Sequence, residues 1–198
     1  HMWTPDVYEG APAPITAFMA TGVKAAAFLA FLRVFMVAFD NLYEVWYPIL
    51  WWVAAITMVV ANLIALVQPN VKRMLAYSSI AHAGYLLVAL VAANEMASSA
   101  MLFYLLVYTL MNIGAFGVVI AVAHQGEDRL QVEDYGGLGW QQPMLGVLFT
   151  VFLLSLAGFP GTGGFMGKIF LLQGAVDSDL WTLAIILVLT TLFSYWYY

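Results

Sequence analysis

Cysteine is missing altogether from the 198 residues, and charge is scarce: six lysines and arginines, eleven aspartates and glutamates, and three histidines. Without thiols the chain forms no disulfide, no thiolate metal site and no cysteine-ligated iron–sulfur cluster, so any redox chemistry it serves belongs to a partner. A net charge of -5 is spread over short loops and gathers into no basic patch, which argues against a nucleic-acid partner. There is no secretory leader pattern either. Residues 1–13, HMWTPDVYEGAPA, are polar and proline-rich rather than a basic patch followed by an apolar run. The acidic stretch 126–139, GEDRLQVEDYGGLG, holds neither a phosphate loop nor metal-ligand spacing and reads as a solvated loop.

What is present is hydrocarbon. Hydrophobic residues make up 64% of the chain and charged ones 9%, against about 25% charged in soluble domains; the mean hydropathy is +0.91. A stretch of about 20 apolar residues spans a bilayer, and breaker clusters divide the chain into spans at 14–38, 46–67, 72–93, 98–123, 142–176 and 180–198. The segments are too long and too uniformly apolar for barrel strands. The fold class is therefore all-α: a polytopic transmembrane helical bundle of about six spans. The fifth span is too long for one straight crossing and is interrupted by GFPGTGG at 158–164, so it is expected to be one discontinuous helix, broken at Gly158, Pro160, Gly161, Gly163 and Gly164. The chain begins in a loop and ends at SYWYY inside an apolar run. It is expected to be a single membrane-domain fragment, 1–198, of a longer protein.

Six crossings place loops 1–13, 68–73 and 124–141 on one side with Lys72, Arg73 and Arg129, while the other side has Arg33 alone. The positive-inside rule makes the first set cytoplasmic, with Lys72 and Arg73 as topology anchors.

Two basic side chains fall deep inside spans. Lys24 stands ten residues into its helix, about 15 Å from the interface at 1.5 Å per residue, too deep for easy snorkelling. A charge at such depth costs about 2.5–3.5 kcal/mol and faces a polar cavity or a partner; the plainer alternative is a lysine that locks packing through backbone carbonyls. Lys168 lies about a turn and a half past the break, where freed backbone groups must be met by protein or water. Discontinuous helices of this kind recur at ion-handling sites, whereas a packing kink would explain Pro160 but not the glycines and lysine together. His82, also about 15 Å into its helix, shares one face with Ser78 and Tyr85 at spacing i, i+4, i+7. Histidine titrates near neutral pH and hydroxyls both donate and accept, so this face is a candidate proton relay; a carbonyl-bonded packing histidine is the alternative. Tyr77, Tyr104, Tyr108, Asn62 and Asn112 read as interhelical hydrogen-bond partners without chemistry of their own, and His124 ends a helix at the interface.

The stretch HMWTPDVYEGAPAP, then Lys24, then NVKRMLAYSSIAHAGY, then LSLAGFPGTGGFMGK resembles the antiporter-like subunits of respiratory complex I, the proton-pumping NADH:quinone oxidoreductase, with WTPDVYEGAP closest to the N-type. The motifs run the whole length in the family's order. The resemblance implies a fourteen-helix subunit built on inverted five-helix repeats, of which this chain is similar to helices eight to thirteen, with His1 at the end of helix seven as a possible supporting residue. It implies that Lys24 connects two half-channels, that Lys168 is the terminal lysine of the second, and that His82 lies on the hydrated axis between them. It implies a non-redox translocase subunit in a bacterial inner membrane or its organelle equivalent. NADH, FMN, iron–sulfur clusters and quinone would sit in partner subunits, with other membrane subunits of complex I and the bilayer as neighbours. An Mrp-type cation/proton antiporter subunit is the rival reading, and a structural membrane subunit of a related hydrogenase or photosynthetic complex is a third. The charge count yields a direct check: a reporter fused after Arg129 of the full-length subunit is expected to face the cytoplasm, and a periplasmic signal overturns the orientation.

Overall fold

The computed structural model describes residues 1–123 and 130–198, and they form helices joined by short turns. A short α1 (Thr4–Gly10) leads into a span made of α2 (Ala13–Phe18), a π-helical turn (Met19–Val23), α3 (Lys24–Arg33) and a second π-helical turn (Val34–Ala38). A 3-10 turn (Asp40–Leu42) opens α4 (Tyr43–Ala65), followed by α5 (Val71–Ala92) and α6 (Glu95–Val122). After the 3-10 turn Val132–Tyr135 and the short α7 (Leu138–Gln141) come α8 (Pro143–Ala157), α9 (Gly163–Asp177) and α10 (Trp181–Tyr197).

Among the described residues four helical segments are long and apolar enough to cross a bilayer: Ala13–Ala38, Asp40–Ala65, Val71–Ala92 and Glu95–Val122. The remaining crossings are shorter. The long fifth segment resolves into α8 and α9, of 15 residues each, about 22 Å apiece at 1.5 Å per residue, so neither half spans alone. The interruption is confined to 158–162; Gly163 and Gly164 are the first turn of α9 rather than part of the break. The first span also departs from the straight helix expected over 14–38, because its two π turns insert extra residues that no composition rule flags.

Local chemistry sets the boundaries. The side chain of Asn70 accepts from Arg73 N at 3.1 Å and starts α5, and Asn94 accepts from Ala97 N at 2.6 Å and starts α6, each relieving an orphan amide of the first turn. Pro143 opens α8, where its missing N–H costs nothing. Helix α5 is buried over nearly its whole length, its polar residues Ser78, Ser79 and His82 included, as befits the centre of a membrane bundle. Helices α4, α6 and α9 pack around it, and α10 packs on α4 and α9.

The two ends of the bundle are tied differently. At one end Arg73 bridges Asp6 and Glu9, both at 2.7 Å, Asn70 Nδ2 donates to Glu9 at 3.0 Å, and backbone bonds join Val71 N to Leu130 O (2.7 Å) and Val132 N to Pro69 O (2.9 Å). The described parts of the three loops given to one side by the charge alternation thus meet at one end. Arg129, His124 and the start of the acidic stretch lie outside the described residues. At the other end Asn94 Nδ2 donates to Gly174 O and Ser178 Oγ, and Ser178 Oγ donates to Ala92 O.

Gly164 is fixed by space: a Cβ there would lie 1.8 Å from Ser155 O. Gly164→Ala in the full-length subunit is expected to destabilise the assembled complex by about 3 kcal/mol or more, the upper end for overpacking. Gly117→Ala, whose Cβ meets nothing within 4 Å, is expected to leave it unchanged. Thermal melts of the detergent-extracted complex check both, and equal melting of the two variants contradicts the close approach of α8 and α9.

Candidate functional site

The break supplies its own acceptors. A helix end leaves its last four carbonyls without intrahelical donors. At the end of α8, Gly158 takes the left-handed conformation (φ 89°) and its N–H turns back to Leu154 O and Ser155 O, joined by Phe159 N on Leu154 O. The next carbonyl, Leu156 O, would normally be closed by the N–H four residues on, but that residue is Pro160, which has none. Lys168 fills the vacancy: its Nζ donates to Leu156 O at 3.1 Å and Ala157 O at 2.8 Å. Its ammonium also stands 5.0 Å over the Tyr85 ring. The side chain is 4% exposed. Ser155 Oγ accepts from Gly164 N at 3.2 Å and so ties the start of α9 to the end of α8, while Thr162 caps α9 through Phe165 N. A cavity of about 200 Å³, lined among others by Gly158, Phe165, Thr191 and Tyr195, opens beside Lys168.

Lys24 is placed by the π turn that immediately precedes it; such turns are frequent at functional sites. Its Nζ donates to Ser79 O at 2.6 Å, to Ser79 Oγ, and to Tyr108 Oη at 3.0 Å, and stands 4.6 Å over the Tyr108 ring. It borders a cavity of about 310 Å³ that His1, Trp3, Tyr8 and Phe28 also line. His1 is exposed, and its carbonyl accepts from Thr4 N.

His82, 1% exposed, lies between the two lysines' aromatic partners. Its Nδ1 shares a hydrogen bond with Tyr104 Oη at 2.6 Å, and its ring centroid is 5.1 Å from Tyr108 and 5.4 Å from Tyr85. Lys24 on Tyr108, His82 beside Tyr108 and Tyr85, and Lys168 on Tyr85 therefore form one row through the middle of the bundle. The face shared by Ser78, His82 and Tyr85 does not act as one chain of hydroxyls. Ser78 Oγ bonds to Tyr198 Oη, which lies 3.4 Å from His82 Nε2. Tyr85 Oη instead accepts from Asn62 Nδ2 at 3.3 Å, and Asn62 Oδ1 accepts from Tyr197 Oη at 3.0 Å.

Ser79 is the residue sequence reasoning passed over, while Tyr104 and Tyr108, read there as interhelical hydrogen-bond partners, make such bonds to the very groups singled out, His82 and Lys24. Tyr104 and Tyr108 lie one turn apart on α6, a pairing visible in the sequence, but only the packing of α6 on α5 turns them toward His82 and Lys24. Lys72, expected with Arg73 to be a topology anchor, lies in the first turn of α5, is 1% exposed and donates to Ala11 O at 3.1 Å. The described residues bring together no three His, Asp or Glu side chains able to share a metal ion, and with no cysteine the donor set does not fit an iron–sulfur cluster.

Residues 1–194 match the family model described as the NADH:quinone oxidoreductase/Mrp antiporter transmembrane region. The chain is 54% identical over its whole length to NADH-quinone oxidoreductase subunit N of Trichlorobacter lovleyi, covering 41% of that protein. It is 48% identical to subunit N 1 of Solibacter usitatus, of which it covers 40%. The chain thus spans about two fifths of the length of these relatives. Among solved structures it resembles a chain of respiratory complex I from Thermus thermophilus with bound aureothin (42% identity, TM-score 0.82, all of this chain and 43% of that one). It also resembles a chain of the membrane-bound sulfane sulfur reductase, an archaeal respiratory membrane complex (27%, TM-score 0.89, all of this chain and 41% of that one). A chain of the Mrp complex from Dietzia sp. shares the fold at 24% identity (TM-score 0.85, 98% of this chain and 36% of that one). Taken with the broken helix and its buried lysine, the match over residues 1–194 establishes that this chain is a member of the NADH:quinone oxidoreductase/Mrp antiporter family of integral membrane proteins.

Proposed function

We propose that the chain is the proton-translocating part of an N-type membrane subunit of NADH:quinone oxidoreductase, relaying protons through Lys24, His82 and Lys168. The observation that carries this reading is the way the two deep lysines are held. Neither makes an ion pair among the described residues; each is met by carbonyls, hydroxyls or a ring face. A carboxylate partner would lock the charge in place, whereas neutral acceptors stabilise an ammonium while leaving the neutral amine a viable state. His82 adds an imidazole whose two ring nitrogens can take up a proton on one side and give one up on the other, and the tyrosines around it carry hydroxyls that both give and accept protons.

In this reading partner subunits hold the flavin, the iron–sulfur clusters and the quinone and oxidise NADH, and this subunit has no redox residue. It sits among other membrane subunits in a bacterial inner membrane or its organelle equivalent, with the Arg73 end of the bundle cytoplasmic. The Mrp antiporter reading shares the fold, but the subunit N relatives and the WTPDVYEGAP stretch support the N-type assignment. His1 lines the cavity that Lys24 borders, and in this reading it is a possible supporting residue there.

In the full-length subunit, His82→Gln keeps a hydrogen-bonding group for Tyr104 but removes titration. Assembly is expected to survive and proton pumping to fall; normal pumping makes His82 a packing residue. Lys168→Met keeps length and apolar packing but cannot hold a proton. Proton translocation and coupled quinone reduction are expected to drop together by roughly tenfold, a barrier increase of about 1.4 kcal/mol. Lys168→Arg is expected to impair both as well, since a guanidinium stays charged. Protons moved per NADH oxidised in vesicles, beside a blot for intact complex, decide the matter: a Met variant that assembles and pumps like the parent sinks the relay.

A further inference from the structure

Two hydroxyls on α10 reach the same broken end of α8 that holds Lys168. Ser194 Oγ, whose one proton is shared between Thr191 O of its own helix at 2.6 Å and Ala157 O at 3.2 Å, reaches the end of α8, and Tyr195 Oη donates to Gly158 O at 2.6 Å. Ala157 O therefore has two donors within reach, the lysine at 2.8 Å and the shared serine hydroxyl, and the adjacent carbonyl is held by the tyrosine. Ser194 is buried, whereas Tyr195 is partly exposed where it borders the cavity beside Lys168.

We propose that Ser194 and Tyr195 are positioning residues that ease proton release from Lys168, by keeping the carbonyls at the end of α8 hydrogen-bonded when the lysine lets go. The inference rests on Lys168 being a proton carrier. A carbonyl left without a donor inside a bilayer is costly, so every acceptor that depends on the ammonium alone resists its deprotonation. Leu156 O is such an acceptor, because Pro160 offers no N–H. Ala157 O is not, because the Ser194 hydroxyl can turn its proton from Thr191 O onto it. Gly158 O, held by Tyr195, is kept from turning its acceptor strength onto the ammonium. Remove either hydroxyl and the freed carbonyl favours the charged lysine, so the proton stays on to higher pH.

The sign of the effect is therefore fixed. The elements packed around Lys168 bring Tyr85 and His82 of α5, Tyr104 and Tyr108 of α6, and Tyr195 and Tyr197 of α10, with Tyr198 just beyond it, into the bundle interior; Lys72, Arg73, Tyr77, Glu95 and Asp177 lie elsewhere on these elements and on α9, and α8 has none. Tyr195→Phe deletes one of these, but Ser194→Ala deletes none, so a displacement common to both variants reports the carbonyls rather than the phenol. The test is the pH profile of proton pumping by the assembled oxidoreductase carrying Ser194→Ala, Tyr195→Phe or Ser194→Thr in the full-length subunit. Each of the first two is expected to move the profile toward alkaline pH by roughly half to one unit, the equivalent of one hydrogen bond. Ser194→Thr, which keeps the hydroxyl, is expected to restore the parent profile. An unmoved profile, or an acid displacement, in assembled Ser194→Ala or Tyr195→Phe overturns the inference. Should Ser194→Ala fail to assemble, Tyr195→Phe still decides, because its ring keeps the packing. Lys168→Met run alongside separates the two failures: if it pumps normally the relay itself is wrong, and if it does not while the hydroxyl variants keep the parent profile, only the role of α10 is wrong.

Discussion

A backbone carbonyl buried in hydrocarbon must find a donor, and at the end of α8 the helix has given up supplying one. Gly158 turns the chain away, Pro160 withdraws the N–H that would close on Leu156 O, and the Lys168 ammonium takes the place of that N–H. The exchange works in both directions. An ammonium alone at this depth is as unfavourable as a carbonyl alone, and each removes the other's cost. The arrangement also demands that the two half-helices touch, which is why Gly164 presses against Ser155 O with no room for a methyl group, and why Ser155 Oγ reaches across to the first turn of α9.

Such a break cannot be stable at the lipid surface, so it dictates where the remaining helices go. Helix α5 runs past it as a buried wall, bringing the Tyr85 ring under Lys168 on one side and Ser79 to Lys24 on another. Serine 78 and serine 79 are neighbours in sequence yet point about 100° apart around the helix, which lets one helix serve the Tyr198 hydroxyl and Lys24 at once. The length of α5 and its tethers at both ends hold this wall in register. Asn70 and Arg73 fix one end to α1, while Val91 O and Ala92 O at the other accept from Tyr43 and Ser178.

Much of this was legible in the residues. Uninterrupted apolar runs name the long helices, and a proline among glycines beside a lysine names the break, because local chemistry alone forbids a continuous helix there. The depth of Lys24 and His82 followed from counting rises. What escaped the sequence depends on rotation between helices. Tyr104 and Tyr108 carry the same spacing as many packing pairs, and only the angle at which α6 meets α5 aims them inward. The π turn before Lys24 escaped for another reason: it inserts one residue's worth of rotation without any breaker residue, since Met19 to Val23 would equally suit an α-helix. Lys72 stands at the start of α5, where the sequence puts it, but its burial was not legible, because it depends on the α1–α2 connection folding over it and supplying Ala11 O.

The choice of partners for the lysines has a physical logic of its own. A carboxylate at 3 Å would stabilise an ammonium strongly, but breaking a buried pair leaves an uncompensated charge, and a lysine so held releases its proton reluctantly. Ring faces and carbonyls act more weakly and carry no net charge. The face of Tyr108 under Lys24 and that of Tyr85 under Lys168 attract a cation through the ring quadrupole, and neither is stranded as an ion when the cation is neutralised. The same restraint applies to His82, which is bonded to Tyr104 rather than to an acid. A site meant only to hold helices together would gain from ion pairs, and the bundle does use them at its loop end, where Arg73 meets Asp6 and Glu9. In the relay proposed above, their exclusion from the described surroundings of Lys24 and Lys168 separates the part of the chain that holds still from the part that would change charge.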